Sequence, residues 1–529
     1  MRFLDANRYP GRAIQADIAV VGTGAAGLAL AREFADTNLR VALIEAGSFR
    51  IRRRDQSDYR GRNTGRSSYA TAASRFRCYG GSTARWGGQC RPFDPIDFEE
   101  REGIAHSGWP FDLAHLLPYY RRAQAFCRLG AVEFEAGHPS PLDSALLETR
   151  LYGFSNPVDL GAACQEELRT ANHITVYLDA GLLDIESDSS GSAVTGLRLG
   201  RMSGQPLQVE AACYVLACGG IENARLLLAS RRCRPEGLGN DHDLVGRFFM
   251  DHPYVFPGYF EPAGTGFPPE SFVLESYDSD QRSGDSHAAL VLSSRLLRAE
   301  RLNGASVYLV RRRRYKSSAA YWSRGGRALL HLSEVLQGRD RLDGRLGEDL
   351  AALATDFPNV LRTTRDRMLG ARGGEDVLAL RIAIEPTPCP ESRVTLARTT
   401  DRWGIPRVEV HWRLNEGDRR GYQRLLEVLR SETARLGLGR LVEHGLHDPD
   451  GWPSGMIGGK HHMGTTRMHR DPRQGVVDPD CRVHGVTNLF IAGSSVFPTG
   501  GYANPTLTIA ALAIRLADRI KAGLRHPPD

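Results

Sequence analysis

An α/β chain, in which a Rossmann-like dinucleotide-binding domain is joined to a second domain built on an antiparallel sheet, is predicted by three stretches. Ala16-Asp17-Ile18-Ala19-Val20-Val21 runs into Gly22-Thr23-Gly24-Ala25-Ala26-Gly27, and helix formers continue from Leu28 to Phe34. A second apolar run from Arg40 to Ile44 closes on Glu45. Far downstream, Leu378 to Ile384, Ser392 to Leu396 and Arg407 to Trp412 carry alternating apolar residues, with Pro386, Pro388 and Pro390 marking a turn. Strand, glycine turn, helix and second strand follow the order of a βαβ nucleotide site. Strands in succession without helices describe an antiparallel sheet.

Each glycine of the first motif has its own task. Gly22 permits the tight turn, Gly24 lets backbone approach a pyrophosphate, and Gly27 lets the helix lie close on the strand. The helix N-terminus then offers N–H groups to the anion. Glu45 is placed to accept hydrogen bonds from ribose hydroxyls and would repel a 2′-phosphate. This fingerprint does not separate FAD from NAD.

The stretch from Arg50 to Arg66 is polar and without apolar periodicity, and reads as an extended, solvated loop. Arg77-Cys78-Tyr79-Gly80-Gly81-Ser82-Thr83-Ala84-Arg85-Trp86-Gly87-Gly88 is rich in small residues that let backbone come close to a flat ligand. Leu113 to Phe126 has helical spacing, with Pro118 expected to break it. Trp109, Tyr119 and Tyr120 read as packing residues. Strand-like runs alternate with turns from 170 to 215, and Cys213 to Leu216 then turns through Gly219-Gly220 into a helix. Cys218, beside those glycines, reads as a packed, inert thiol. In 255–380, Arg311 to Arg314 and the amphipathic run Ala328 to Leu336 would suit a lid or a partner surface, although a solvated insertion is the simpler reading. Tyr422 to Leu436 reads as an amphipathic helix.

The last seventy or so residues carry the chemistry. Lys460-His461-His462-Met463-Gly464-Thr465-Thr466-Arg467-Met468 is followed by Asn488-Leu489-Phe490-Ile491-Ala492-Gly493 and by Gly500-Gly501-Tyr502-Ala503-Asn504-Pro505-Thr506. A histidine in a glycine-flanked loop and an asparagine stiffened by the following proline are suited to hold one substrate oxygen. This block resembles the C-terminal signature of the glucose-methanol-choline (GMC) flavoprotein oxidoreductases, and the 77–88 loop, the 213–228 segment and Gly246 to Pro253 resemble that family too. The resemblance runs from about residue 16 to 522 and is weakest in the middle.

The resemblance implies FAD and oxidation of an alcohol. It makes His461 and Asn504 the catalytic pair, with His461 taking the hydroxyl proton while hydride passes to flavin N5 and Asn504 holds the oxygen. Motif spacing favours His461 over its neighbour His462. His252 lies outside the motif and reads as structural, at the junction of two domains. Together with the nucleotide fingerprint, the resemblance places FAD contacts at Gly22, Gly24, Ala25, Gly27 and Glu45, at Gly81, Ser82, Arg85, Trp86, Gly87 and Gly88 beside the ring, at Ala217, and at Gly493, Ser494, Asn504, Pro505 and Thr506. Arg85 stands where some relatives carry a flavin-linked histidine, so the FAD is expected to be non-covalent. Many relatives have an Asp where Gly493 stands, so backbone or Ser494 must serve there. The expected organisation is an FAD-binding domain in three parts (14–110, 166–253 and 455–529), a linking helical segment (111–165) and a substrate-binding domain (254–454).

The Thr465-Thr466-Arg467-Met468 run and Asn504 most resemble the pyranose oxidase and glycoside oxidase branch, which implies a pyranose secondary hydroxyl, at C2 or C3, as the group oxidised to a ketone. Oxygen or another acceptor would take the electrons. Two alternatives stay open: the catalytic subunit of a sugar or polyol dehydrogenase complex feeding a quinone or cytochrome, and a flavin-bound, non-redox lyase.

Composition bounds the rest. With 529 residues and 41% hydrophobic, the chain can bury a full core. A net charge of +6 from 68 basic and 62 acidic residues gives no concentrated nucleic-acid footprint. Lys316, Lys460 and Lys521 are the only lysines. Nine cysteines without Cys-x-x-Cys or metal-ligand spacing suggest free thiols and a cytoplasmic location. The first fifteen residues lack the apolar core of a signal peptide, and no run is long enough to span a bilayer. A homo-oligomer or a small partner subunit is compatible with all of this.

Overall fold

The computed structural model describes residues 1–529 apart from 67–68, 135–139, 157, 203, 265–266, 275–285, 314–318, 337–345, 371–375, 446, 449 and 526–529. Its first layer is a parallel sheet of six strands in the order Arg2–Asp5, Ile174–Leu178, Val41–Ile44, Ile18–Val21, Cys213–Leu216 and Leu489–Ile491. Ile18–Val21, Val41–Ile44 and Cys213–Leu216 are buried throughout, because a parallel sheet covered on both faces has no wet side. The helix Thr506–Arg525 packs on both Ala25–Arg32 and Leu113–Phe126 beside it. Three widely separated parts of the chain thus share one core.

Pro118 does not break its helix. Leu113–Phe126 runs unbroken through it, started by Asp112, whose carboxylate accepts from the His115 N–H. The proline lies early in the helix and deletes a single backbone bond, while Leu116, Tyr120, Ala123 and Phe126 are buried on the side that packs against Thr506–Arg525. Trp109 and Tyr120 are packing residues, as the sequence suggested. Trp109 donates from Nε1 to Thr499 Oγ1 (2.8 Å), and the Tyr120 hydroxyl lies 2.7 Å from Thr508 Oγ1.

The second layer is a large sheet whose main path runs through Gly439–Glu443, Gly258–Pro262, Asp376–Ile384, Ala305–Arg313, Ser286–Leu292, Leu147–Phe154 and Gln89–Cys90, all antiparallel neighbours. The helix Glu416–Arg435 starts with a capping box between Asn415 and Asp418 and buries Tyr422, Leu425, Leu426, Val428 and Leu429 in a core of its own. The segment 111–165, read as helical, also supplies the sheet strand Leu147–Phe154. Within 255–380, Arg311 to Arg313 end a sheet strand and pair with Asp376 to Leu378 rather than lying in a solvated insertion; Arg314 falls outside the described residues. Four helices follow, Ala319–Trp322, Arg324–Leu336, Leu346–Thr355 and Phe357–Gly370, and they pack on each other. No helix among the described residues is long and apolar enough to cross a membrane.

Candidate active site

One cavity of about 530 Å³ runs between the two layers. At its nucleotide end the strand Ile18–Val21 delivers Gly22 at φ +104°, a conformation open to glycine. A Cβ on Gly27 would overlap the carbonyl oxygen of Gly22, whereas one on Gly24 would meet nothing within 4 Å. Gly27 therefore serves the packing of helix on strand and does not line the cavity. Gly24 and Ala25 do, at the start of a helix with no side-chain cap and no acidic residue in its first turn. Glu45 is buried; it accepts from the Thr23 hydroxyl (2.6 Å) and from the Gly47 N–H (2.8 Å), and burial raises its pKa. An uncapped helix start, an open glycine and a buried acid at the strand end together fit a dinucleotide.

The glycine-rich loop forms the next stretch of wall. Gly80 and Gly81 take φ of +86° and +56°, and a Cβ on Gly81 would stand 2.9 Å from Gly24 Cα. Gly81, Ser82, Arg85, Trp86, Gly87 and Gly88 all line the cavity, and Trp86 is anchored by its indole N–H on the carbonyl of Val158 (2.7 Å). Ala217, Gly493, Ser494, Pro505 and Thr506 complete this part. Gly493, at φ +119°, again requires glycine.

At the far end stand His461 and Asn504, with Asn504 Nδ2 3.4 Å from His461 Nε2. Burial first, then the nearby His252, Arg381 and His462, hold the His461 pKa well below the usual imidazole range, so the ring is neutral near pH 7. Its main chain is pinned by Asp251, which accepts from the N–H of His461 (2.7 Å) and of Lys460 (3.2 Å), the latter held at φ +63°. Asp251 also accepts from the Tyr69 hydroxyl, and burial raises its pKa to about 6. The neighbouring His462 turns to Tyr69, 3.0 Å from Nε2 to the hydroxyl, and burial pushes it down to about 3. It is engaged behind His461.

The domains whose models match are a FAD dependent oxidoreductase domain over residues 17–236 and a GMC oxidoreductase domain over 388–513. The chain belongs to the GMC oxidoreductase family. It is a FAD-dependent enzyme acting on CH–OH groups. Among curated relatives of this GMC oxidoreductase, the 6'''-hydroxyparomomycin C oxidase of Streptomyces lividus is 26% identical over 96% of this chain and 92% of its own length. The C-glycoside 3-oxidase of Arthrobacter globiformis is 38% identical over 25% of this chain and 24% of its own. The crystal structure of pyridoxine 4-oxidase from Mesorbium loti shares the fold, with a TM-score of 0.57 at 19% identity over 95% of this chain and 99% of that one.

Several residues of the GMC enzyme's cavity escape sequence reading. Tyr254 and Arg381 line it close to His461, with the Arg381 guanidinium 4.1 Å from the Tyr254 ring centre; burial lowers Arg381 to about 10. The Arg50 to Arg66 stretch is not a solvated loop. Asp55 and Asp58 are buried and pair with Arg402 at 3.1 and 3.0 Å, Asp58 pairs also with Arg77 at 3.1 Å, and Tyr59 stacks under Arg75 against the cavity. Charges that are desolvated together look, in sequence, like charges left in water. Cys218 behaves as read: its thiol donates to the Val21 carbonyl (3.2 Å) and burial pushes its pKa up. His252, read as structural, touches His461 directly, Nδ1 to Nδ1 at 2.8 Å.

Proposed function

We propose that the enzyme oxidises a secondary hydroxyl of a sugar or glycoside, at C2 or C3 of a pyranose ring, to the ketone. The observation that carries this reading is the convergence of the neutral His461 Nε2 and the Asn504 amide on one end of the cavity. FAD, when bound, supplies the acceptor for the hydride that leaves the carbon. His461 takes the hydroxyl proton, for which a neutral imidazole is suited. Asn504 donates to the same oxygen as negative charge builds there, and its backbone is restricted by Pro505. Gly22, Gly24, Ala25 and Glu45, the loop residues Gly81, Ser82, Arg85, Trp86, Gly87 and Gly88, and Ala217, Gly493, Ser494, Pro505 and Thr506 hold the cofactor, with Gly27 acting through the packing of the helix. Arg85, standing at the loop position where a histidine would be bonded to the ring, supports non-covalent FAD. The names of the relatives, among them a 6'''-hydroxyparomomycin C oxidase and a C-glycoside 3-oxidase, support the sugar class. Nine free thiols support a reducing, cytoplasmic setting.

A second reading, a catalytic subunit that hands electrons to a partner, is favoured by one observation. Leu350, Phe357, Leu361 and Met368 stand exposed on neighbouring helices of the 319–370 segment, an arrangement more common at interfaces than on free surfaces. Anaerobic mixing with a panel of free sugars and glycosides tests both. Bleaching of the oxidised flavin absorbance by a sugar supports the substrate class, fast recolouring in air marks an oxidase, and recolouring only with a quinone supports the subunit reading. A yellow protein that no sugar bleaches overturns the proposal.

A further inference from the structure

The chemistry proposed for His461 needs its lone pair on Nε2, and an imidazole by itself does not choose between its nitrogens. The surroundings do. Nε2 of His252 lies 2.8 Å from the carbonyl oxygen of Gly501 and 3.3 Å from that of Gly500. A carbonyl oxygen only accepts, so this nitrogen carries the proton. Burial pushes the His252 pKa down to about 4, which leaves the ring neutral near pH 7 and a lone pair on its Nδ1. That lone pair faces His461 Nδ1 at 2.8 Å, and the contact is a hydrogen bond when His461 donates. Nε2 of His461 is then bare. On the other side of the ring the Asn504 amide nitrogen lies 3.4 Å from Nε2, where it can donate to the bare nitrogen.

We propose that His252 is a positioning residue for the reaction: the carbonyls of Gly500 and Gly501 fix its tautomer, and its bare Nδ1 fixes that of His461, so that Nε2 of His461 is presented as the base. The inference rests on the reading of His461 as that base. A neutral ring orients differently from a carboxylate. A carboxylate at this place would hold the imidazolium once formed, whereas His252 aligns the base without adding a charge. The frame around it is stiff. Gly501 takes φ +51°, with Asp97 Oδ2 2.7 Å from where a Cβ would stand, and Thr499 is bound by Trp109. The carbonyl of His252 accepts from the Gly459 N–H (2.8 Å), so the Asp251-His252 pair holds both the main chain and the ring of the base.

Nitrogen NMR of the FAD-bound protein labelled with 15N-histidine tests this, the His461 ring being identified by its loss in His461→Gln. The wild-type ring should show a protonated Nδ1 and a bare Nε2 near pH 7.5. His252→Asn, whose side-chain oxygen can accept near the Nδ1 position, should keep that pattern. His252→Leu should shift it towards protonated Nε2 or a mixture, and with any sugar that bleaches the flavin should slow bleaching about tenfold or more at saturating sugar, with the half-saturating concentration little changed. A wild-type ring protonated on Nε2, or an unchanged pattern in His252→Leu, overturns the proposal. If the leucine variant fails to fold, loss of the Nδ1 proton in folded His252→Asn overturns it. Normal bleaching by His461→Gln would instead sink the base reading while leaving the tautomer result standing.

Discussion

The two ends of the cavity are built in opposite ways. The nucleotide end comes from consecutive residues: strand Ile18–Val21, the turn from Gly22, helix Ala25–Arg32 and strand Val41–Ile44 follow one another within thirty or so positions. The far end is assembled from Tyr69, Asp251, His252, Tyr254, Arg381, His461 and Asn504, and the ring contact between His252 and His461 joins residues 209 apart. The difference teaches where function is written locally and where it exists only after folding.

If the nucleotide end is a local backbone device, its most damaging change is added bulk where the helix packs on the turn, at Gly27. Gly27→Val should destabilise the fold by about 3 kcal/mol, the upper end for overpacking, and reduce bound flavin, read by melting temperature and by absorbance of the purified protein. Gly24→Ala, with open space at its Cβ, should melt like the wild type and lose only FAD affinity. At the far end, Asn504→Ala should remove a donor to a developing anion, worth about 1.5–3 kcal/mol, and slow flavin bleaching accordingly with FAD retained; an unchanged rate would remove Asn504 from the mechanism. Tyr69→Phe should cost about 0.5–1.5 kcal/mol of stability, measured by denaturant titration, since it deletes the hydroxyl shared by Asp251 and His462.

The smallest effect is in pH. The His461 pKa is depressed, chiefly by burial and then by His252, Arg381 and His462, so its neutral, proton-accepting form persists as pH falls through the ordinary histidine range and is lost only at more acid pH. The rate of bleaching should be flat from about pH 6.5 upward, where free histidine begins to titrate. A rate that still climbs above pH 7 would mean a base of higher pKa.

How much was legible follows the same division. The glycine turn, Glu45 and the 77–88 loop could be read because their meaning lies in neighbouring residues. His461 and Asn504 could be found by motif, yet the motif is silent on what orients them. His252 was visible in Gly246 to Pro253, but its role depends on the carbonyls of Gly500 and Gly501, and carbonyls leave no mark in sequence. Tyr69 lies between the polar stretch that ends at Arg66 and the glycine-rich loop that begins at Arg77, and no motif marks it. Asp55 and Asp58 were misread with their stretch, because their guanidinium partners Arg77 and Arg402 arrive from elsewhere in the chain.

The central claim is that binding the cofactor and removing the proton belong to separate ends. It is tested most directly by anaerobic flavin bleaching in wild type and His461→Gln, each with its FAD content fixed by absorbance. Undiminished FAD with bleaching slowed roughly 10²–10⁴-fold, the range for a lost general base, is the result predicted. Bleaching at the wild-type rate, or loss of the flavin along with the histidine, would contradict it.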